Sequence, residues 1–226
     1  MINDLSNFEI KDDEIIEYKL ILIGDSSVGK TCLFKKITSG VFLVRNVSTV
    51  GIDRKTFSFI YEFDENGKKV SKKVVINLTD TAGQERYKSL TQLYYKGSNG
   101  ILLLYDITDR KSFDHLNDWI TIIRNSVDNY EEKYTIFLLG TKVDLVEEDN
   151  QRREVTIKEA KEKCKELDLE WGGECSSKNF SEEKYKELFK EFVKKIYEKV
   201  GYNIVMRQTV STLESNKGKK KNNCGC

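Results

Sequence analysis

The 226-residue sequence predicts an α/β fold with a mostly parallel six-stranded sheet, one antiparallel hairpin at the sheet edge and helices on both faces. Three observations carry this prediction. Short apolar runs recur along the chain, amphipathic segments separate them, and an Asn-Gly turn joins one pair of extended segments. Continuous apolar runs are typical of strands buried on both faces of a parallel sheet. Their alternation with amphipathic helices predicts a doubly wound arrangement.

The predicted strands are the apolar runs YKLILIG (18–24), KVVINLT (73–79), ILLLYD (101–106) and YTIFLLG (134–140). The segment TFSFIYEF (56–63) differs from these runs, because apolar and polar residues alternate along it with period two. The Asn-Gly pair in ENGKK then leads into the run 73–79, which predicts an antiparallel hairpin.

The predicted helices carry apolar residues at spacings of three and four. One begins at KTCLFKKI (30–37), a second covers 112–127 and a third covers 181–200. Ser181 and Glu183 stand at the start of the third helix, where such side chains cap free backbone N–H groups.

The composition indicates one sizeable globular domain. Apolar residues make up 38% of the chain, charged residues 33%, and the net charge of +1 disfavours nucleic acid as the main partner. The five cysteines are irregularly spaced and do not form a secreted disulfide framework. No apolar run approaches the roughly 20 residues of a membrane span, and no signal peptide is visible. The cytosol is therefore the expected compartment.

Charge divides the chain into a domain and two tails. Residues 1–16 are predicted to form an acidic N-terminal extension, residues 17–202 the folded domain, and residues 203–226 a flexible basic tail. The tail ends in KKKNNCGC (219–226), where Cys224 and Cys226 flank one glycine. A metal site, a redox pair and a pair of lipid anchors would all use such thiols, so the tail alone does not decide among them.

The segment GDSSVGKT (24–31) fits the phosphate-binding motif GxxxxGK[ST] between a strand and a helix start. Gly24 and Gly29 let the backbone wrap closely, so that successive N–H groups point at phosphate oxygens. Lys30 would reach the terminal phosphates, and the Thr31 hydroxyl would ligate Mg²⁺. The motif and its context predict a P-loop nucleotide-binding protein.

The segment DTAGQE (80–85) follows the strand 73–79. An acidic residue at the end of a neighbouring strand is where P-loop proteins hold Mg²⁺, so Asp80 is the expected carboxylate. Gly83 can direct its backbone N–H to the γ-phosphate, and Gln84 is placed to orient the attacking water.

The segment GTKVD (140–144) predicts selection of guanine. A carboxylate at Asp144 can accept hydrogen bonds from both N1–H and the exocyclic amine of guanine, and adenine lacks that donor pair. The sixth strand is expected next along the chain, and backbone N–H groups of CSSK (175–178) after it would complete the base pocket.

Together these motifs resemble the small GTPases of the Ras superfamily and, within it, the Rab branch. Nineteen positions separate Lys30 from Thr49, the place of the switch I threonine in that family. The Rab-type segments VGID (50–53), ERYKSLT (85–91), YYKGS (94–98) and LLYDIT (103–108) follow in order, and the resemblance covers roughly residues 17–200.

The resemblance implies a P-loop small-GTPase fold that binds GTP or GDP with Mg²⁺ and hydrolyses GTP slowly without an activating protein. Gln84 is the implied catalytic residue, and Thr31, Thr49 and Asp80 are the implied metal ligands. The implied GTP-binding residues are Ser26, Ser27, Val28, Gly29, Lys30, Thr31, Cys32, Phe42, Thr49, Gly83, Thr141, Lys142, Asp144, Ser176, Ser177 and Lys178. The implied effector surface is Val50, Gly51, Ile52, Asp53, Arg54, Thr79 and Tyr94.

Four positions depart from the family pattern. Thr141 replaces an asparagine that ties the base loop to the P-loop, and Asn46 replaces a switch I tyrosine. Arg54 and Thr79 replace a Phe and a Trp that form an aromatic patch with Tyr94 in similar Rab proteins. Because aromatic patches are binding hot spots, an unusual effector set is one interpretation and sequence drift is the other.

The remaining singled-out residues are expected to be structural. His115, the only histidine, has no second ligand spaced for a metal and is predicted to be an exposed surface residue. Trp119 is predicted to be a core residue, and Cys32, Cys164 and Cys175 are predicted packing cysteines.

The resemblance also implies the fate of the tail. The C-x-C ending matches Rab-type proteins, which implies geranylgeranyl groups on Cys224 and Cys226, with nearby lysines supporting membrane attachment. The implied partners are an exchange factor, an activating protein, effectors, and prenylation escort and GDI-type extraction proteins. The implied location is the cytoplasmic face of an endomembrane with a cytosolic pool, and the implied state is a monomer. The alternatives are a Rho- or Ran-like GTPase and a non-hydrolysing pseudo-GTPase scaffold.

Overall fold

The computed structural model describes residues 15–42, 52–65, 67–81, 97–126, 134–179 and 181–200. Within these residues six strands form one sheet in the order β2-β3-β1-β4-β5-β6. The strands are β1 (Ile15–Ile23), β2 (Ile52–Glu65), β3 (Lys68–Thr81), β4 (Gly100–Asp106), β5 (Thr135–Thr141) and β6 (Glu170–Glu174). β2 and β3 pair antiparallel at one edge, and the other pairs are parallel. The predicted fold class is confirmed.

The described helices are α1 (Lys30–Ser39), α2 (Arg110–Asp114), α3 (Leu116–Ser126), α4 (Val143–Glu148), α5 (Ile157–Leu167) and α6 (Glu182–Val200), with a 3₁₀ turn at Asn150–Arg152. The single helix predicted over 112–127 consists of α2 and α3, with His115 at their junction. α2 begins two residues earlier than predicted, because the Asp109 carboxylate accepts from the Lys111 N–H and caps it. α6 begins after Ser181, as predicted, and the Ser181 hydroxyl accepts from the Lys184 N–H at 3.4 Å.

Two apolar layers cover the sheet. Alternate residues of β1 point to opposite faces, so Leu20 and Leu22 pack in one layer while Ile21 and Ile23 pack in the other. The first layer holds α1 and α6, and the second holds α2, α3 and α5. Helices on both faces leave the carboxyl ends of the parallel strands open at one edge, which is where open α/β sheets bind ligands.

The β2–β3 hairpin is longer than predicted, with 14 residues in each strand. The described part of β1 pairs with β3 from Lys73 onward, so the distal part of the hairpin extends past that pairing. Phe63 in this extension is 2% exposed, and its ring lies 4.7 Å from the Tyr197 ring of α6. The extension is therefore packed against the last turns of α6.

The domain boundaries stay predictions. β1 begins at Ile15, inside the segment predicted as the acidic extension. Residues 1–14 and 201–226, including Cys224 and Cys226, lie outside the described residues. Within the part of the chain that is described, no helix has both the length and the apolar character needed to cross a bilayer.

Candidate functional site

The loop between β1 and α1 depends on two glycines with positive φ. Gly24 has a φ of 140°, and a Cβ at this position would lie 2.2 Å from the Leu104 carbonyl oxygen of β4. Gly29 has a φ of 100° and is the N-cap residue of α1. A side chain at Gly24 would meet both a disfavoured φ and a fixed backbone atom, so the loop can lie this close to β4 only with glycine.

Lys30 is held at the centre of this loop. Its side chain is 4% exposed, and Nζ donates to the carbonyl oxygens of Gly24 at 2.8 Å and Asp25 at 2.5 Å. α1 begins at Lys30, so the N-terminal end of the helix dipole is directed into the loop. An ammonium group and a helix N-terminus in one loop favour an anion there, and phosphate binding by GDSSVGKT stays a prediction.

Asp80 lies near the end of β3, where it is 1% exposed. Neither of its carboxylate oxygens has a hydrogen-bond partner among the described residues. Burial raises the pKa of Asp80 to about 6, while the neighbouring Thr31 hydroxyl and the Lys30 charge act in the opposite direction. A carboxylate this deeply buried fits a cation ligand, because a bound cation would compensate the cost of desolvation.

Thr141, which departs from the family pattern, joins the P-loop to the base loop at 140–144. The Thr141 hydroxyl, at the end of β5, lies 2.6 Å from the Val28 carbonyl oxygen and 2.9 Å from the Tyr105 carbonyl oxygen. A hydroxyl has one proton, so the two acceptors share it. Thr141 therefore ties the base loop to the P-loop, which is the tethering role that asparagine has in the family.

Lys142 follows with a φ of 64°, in the left-handed region. Its Nζ lies 2.6 Å from Asp106 Oδ2 at the end of β4. The other oxygen of Asp106 accepts from the Thr108 N–H and hydroxyl at 2.9 and 2.7 Å. This network fixes the backbone turn that carries Asp144, which is 8% exposed in the first turn of α4.

The chain after β6 lies beside the same turn. The Val143 N–H donates to the Cys175 carbonyl oxygen at 3.3 Å, and the Cys175 N–H donates to the Gly140 carbonyl oxygen at 2.7 Å. The Ser176 hydroxyl accepts from the N–H groups of Lys178 and Asn179 at 3.1 and 3.2 Å. The structure thus brings the predicted base-binding segments 140–144 and 175–178 together.

An ion pair between Lys178 and Glu148 lies at the surface of this region. Lys178 Nζ lies 2.8 Å from Glu148 Oε1 at the end of α4, and its hydrogen bond and charge lower the pKa of the Glu148 carboxyl. Phe42, half-buried, lies past the end of α1. Of the P-loop residues, Val28 and Cys32 are buried, and Ser26 and Ser27 are exposed.

Several predicted site residues lie outside the described residues. These are Asn46, Thr49, Val50, Gly51, Gly83, Gln84 and Tyr94. Their roles as catalytic, metal-binding and effector residues stay predictions.

The described part of the predicted effector surface consists of one exposed apolar residue, Ile52, and three polar residues, Asp53, Arg54 and Thr79. Arg54 and Thr79 are direct cross-strand partners in the β2–β3 pair, so the two departures from the family pattern are neighbours. Ile52, Asp53 and Arg54 are exposed. Next to them, the Thr56 hydroxyl donates to Asn77 Oδ1, and Asn77 Nδ2 donates to Glu17 Oε1, both at 2.5 Å. Hydrogen bonds thus cross three strands beside the place where the family has aromatic side chains.

Sequence reasoning missed a contact of the P-loop with α3. The Asp25 carboxylate lies 2.6 Å from both His115 Nδ1 and Trp119 Nε1. The His115 side chain is 53% exposed and Trp119 is 5% exposed, so their predicted burial is confirmed, but both have a polar partner that was not expected. The only signal was an acidic residue inside the loop, and its partners are 90 and 94 positions away.

Comparisons with known proteins agree with this geometry. The model of the Ras family matches residues 19–198. The chain is 43% identical over 145 residues to the Ras-related protein Rab-13 of Canis lupus familiaris, with 64% of this chain and 66% of the relative covered. It is 39% identical over 155 residues to Rab-8B of Homo sapiens, which covers 69% of this chain and 66% of the relative.

A longer match is found with the Ras-related protein Rab-8 of Diplobatis ommata, at 36% identity over 203 residues, 88% of this chain and 87% of the relative. The matches to Rab-13 and Rab-8B span slightly less than two thirds of those relatives. The family match covers most of the chain and includes the P-loop, Asp80 and both base-binding segments. The chain therefore belongs to the Ras family, as a small GTPase of the Rab type.

Proposed function

We propose that this chain binds GTP and GDP with Mg²⁺, hydrolyses GTP, and acts as a Rab-type switch in membrane traffic. The observation that carries the proposal is the Asp80 carboxylate, which is 1% exposed and stands beside the Thr31 side chain and the P-loop lysine. Burying a carboxylate in that position costs desolvation free energy, and a bound nucleotide–metal complex would offset that cost.

The P-loop binds the phosphates in this proposal. Lys30 supplies a charge, and the N–H groups of Ser27 to Cys32 supply donors at the start of α1. Asp144 selects guanine by accepting from N1–H and the exocyclic amine, and Phe42 lies against the base edge. Lys142, Ser176, Ser177 and Lys178 shape the rest of the base pocket.

Thr31, Thr49 and Asp80 would hold the Mg²⁺ ion, with Asp80 acting through water. Bound Mg²⁺ neutralises charge on the β- and γ-phosphate oxygens. The residues of this chain do the remaining work. Gln84 orients water for in-line attack, and the Gly83 N–H contacts the γ-phosphate. Intrinsic hydrolysis of small GTPases is on the order of 10⁻⁴ s⁻¹, so an activating protein is part of the proposal.

Loss of the γ-phosphate would release two segments, 46–53 and 80–96, which the nucleotide otherwise orders. Effectors would bind Val50, Gly51, Ile52, Asp53, Arg54, Thr79 and Tyr94 in the GTP state. An exchange factor would restore GTP. The protein would act as a monomer and without nucleic acid as a partner.

Membrane attachment belongs to the same proposal. Geranylgeranyl groups on Cys224 and Cys226, together with the lysines of 217–221, exceed the two signals that stable anchoring needs. Prenylation escort and GDI-type extraction proteins would deliver and retrieve the chain, giving residence on the cytoplasmic face of an endomembrane and a cytosolic pool. A tagged chain with both cysteines changed to serine should bind GTP normally and lose its membrane residence. Continued residence would contradict this part.

The central experiment is single-turnover hydrolysis of bound GTP by the purified chain. Wild-type protein should hydrolyse GTP, and an activating protein should accelerate it strongly, whereas Gln84→Leu should respond little. Asp144→Ala should lose guanine nucleotide binding, and ATP should not compete with GTP in the wild type. A wild-type chain that purifies empty and shows no GTP-dependent change in melting temperature would instead support the pseudo-GTPase scaffold.

A further inference from the structure

Asp25 is held from two sides, and both contacts lie at the start of the P-loop. On one side its carboxylate oxygens accept from His115 Nδ1 and Trp119 Nε1, each at 2.6 Å. On the other side its carbonyl oxygen accepts from Lys30 Nζ. The Asp25 side chain is 23% exposed, so these hydrogen bonds are partly shielded from water.

The two donors are joined by a backbone hydrogen bond between the α2–α3 junction and the first turn of α3. His115 lies at the junction of α2 and α3, and Trp119 lies one turn later, with its N–H bonded to the His115 carbonyl oxygen. Trp119 is packed in the apolar layer that also holds Ile21 and Ile23 of β1. Because the indole ring is anchored in the core, its N–H presents a fixed donor to Asp25.

The far end of the same loop is held by a different element. The Val28 carbonyl oxygen accepts from the Thr141 hydroxyl at the end of β5. The exposed residues Ser26 and Ser27 lie between the two attachments, and Ser27 has a φ of 67°, which is uncommon for a residue with a side chain. An unfavourable backbone conformation persists only where the surroundings hold it.

We propose that Asp25, His115 and Trp119 form a clamp that positions the P-loop for phosphate and so sets the residence time of the bound guanine nucleotide. This inference rests on the proposed function, because it assigns a role in nucleotide binding to residues outside the predicted pocket. The three are positioning residues. Hydrogen bonds to an ionised carboxylate are among the stronger ones in proteins, and a loop fixed before binding loses less entropy when phosphate binds.

The alternative explanation is that Trp119 serves only as a core residue and that His115 is an exposed residue with no effect on the P-loop. The two explanations differ for substitutions that keep volume and remove one donor. Trp119→Phe preserves an aromatic ring in the core but has no N–H. His115→Leu removes the imidazole donor, whereas His115→Asn keeps an N–H at about the place of Nδ1.

The test uses the full chain loaded with a fluorescent GDP analogue in the presence of Mg²⁺. Nucleotide release is followed after addition of excess GDP. We expect Asp25→Asn to release the nucleotide about tenfold faster than wild type, which corresponds to about 1.4 kcal/mol. Trp119→Phe and His115→Leu should each release the nucleotide about threefold faster than wild type or more. His115→Asn should reverse at least half of the increase in release rate seen with His115→Leu. Asp118→Asn removes the same charge from an exposed position of α3 and should leave release unchanged.

Coupling separates a clamp from independent effects. In a clamp, Asp25→Ala combined with Trp119→Phe should release the nucleotide no faster than Asp25→Ala alone, because alanine has already removed the carboxylate that accepts from the indole N–H. Wild-type release rates in Asp25→Asn, or fully multiplicative effects in the double variant, would overturn the clamp. If wild-type protein binds no GDP at all, the proposed function fails as well, and that outcome is distinct from a wild type that binds while its variants behave alike.

Discussion

The Thr141 hydroxyl lies 2.6 Å from the carbonyl oxygen of Val28, so one side chain joins the end of β5 to the P-loop. The family uses asparagine for this purpose, and the shorter threonine achieves the contact while also bonding to the Tyr105 carbonyl oxygen of β4. The ends of β4 and β5 and the P-loop are thereby fixed to one another through a buried hydroxyl. The base-binding and phosphate-binding halves of the site should behave as one unit.

Thr141→Val should remove the hydrogen bond that links the end of β5 to the P-loop. Valine has the shape of threonine but no donor, so two buried carbonyl oxygens lose their hydroxyl partner. We expect a loss of about 1–3 kcal/mol in the free energy of unfolding and a several-fold faster release of GDP. Urea denaturation and nucleotide release measure the two effects. Thr141→Ser keeps the hydroxyl and is the matched control, and equal behaviour of the two variants would show that the hydrogen bond is unimportant.

Gly24→Ala should be far more damaging than glycine substitution elsewhere. A Cβ at Gly24 would lie 2.2 Å from a backbone oxygen of β4, and the φ of 140° is outside the range of other residues. Gly40→Ala is the control, since Gly40 also has a positive φ, 71°, but nothing lies within 4 Å of its Cβ position. We expect about 1 kcal/mol for Gly40→Ala and more than about 3 kcal/mol for Gly24→Ala, measured by urea denaturation. Equal losses would mean that φ alone matters at Gly24.

The fold and the shape of the loop 24–31 could be predicted because their signals are local. GDSSVGKT carries its glycines, lysine and threonine within eight positions, and each apolar run marks a strand by itself. The role of Thr141 could not be predicted in the same way. The sequence shows that threonine replaces the family's asparagine, but its contact depends on the distance to Val28, which is 113 positions away. The Asp25 contacts were invisible for the same reason.

The length of the β2–β3 hairpin was underestimated for a different reason. The residues around the turn, DENGKKVSKK, are polar, so they show no strand periodicity. The cross-strand ladder nevertheless continues from Ile60 opposite Lys73 to Glu65 opposite Lys68. Phe63 and Tyr61 on this extension form an edge-to-face pair at 4.6 Å, and Phe63 packs on Tyr197 of α6. Tertiary contacts with α6 thus stabilise a segment that intrinsic propensity alone does not favour.

Phe63→Ala should destabilise the domain by about 3–5 kcal/mol, because it removes a ring that is 2% exposed from the contact between hairpin and α6. Combining Phe63→Leu with Tyr197→Leu in a double-mutant cycle should give a coupling of about 0.5–1.5 kcal/mol. Ser71→Ala, at an exposed position of the same hairpin, should change the free energy of unfolding by less than about 0.5 kcal/mol. An absence of coupling would mean that the hairpin extension does not stabilise the end of α6.

Glu159 should make stability depend on pH. Its carboxylate accepts from the Thr156 N–H at 2.8 Å and hydroxyl at 2.7 Å in a capping box at the start of α5, and Arg110 lies 2.7 Å from its other oxygen. These hydrogen bonds and the Arg110 charge lower the pKa of Glu159 from 4.5 to about 2. A lowered pKa in the folded state means that the stabilisation is present above pH 4.5 and is lost as the pH falls towards 2.

The measurement is urea denaturation of wild type and Glu159→Gln from pH 7 to pH 3. Because the Glu159 side chain is 39% exposed, solvent screening limits the ionic contribution to about 1 kcal/mol. At pH 7 the free energy of unfolding of wild type should exceed that of Glu159→Gln by about that amount. The difference should shrink below pH 4.5. Glu162→Gln, on an exposed turn of the same helix, removes an equal charge and should show a smaller difference at pH 7, since its partner Lys158 is 4.0 Å away. A wild-type advantage that stays constant down to pH 3 would show that the capping contacts stabilise α5 without favouring the ionised carboxylate.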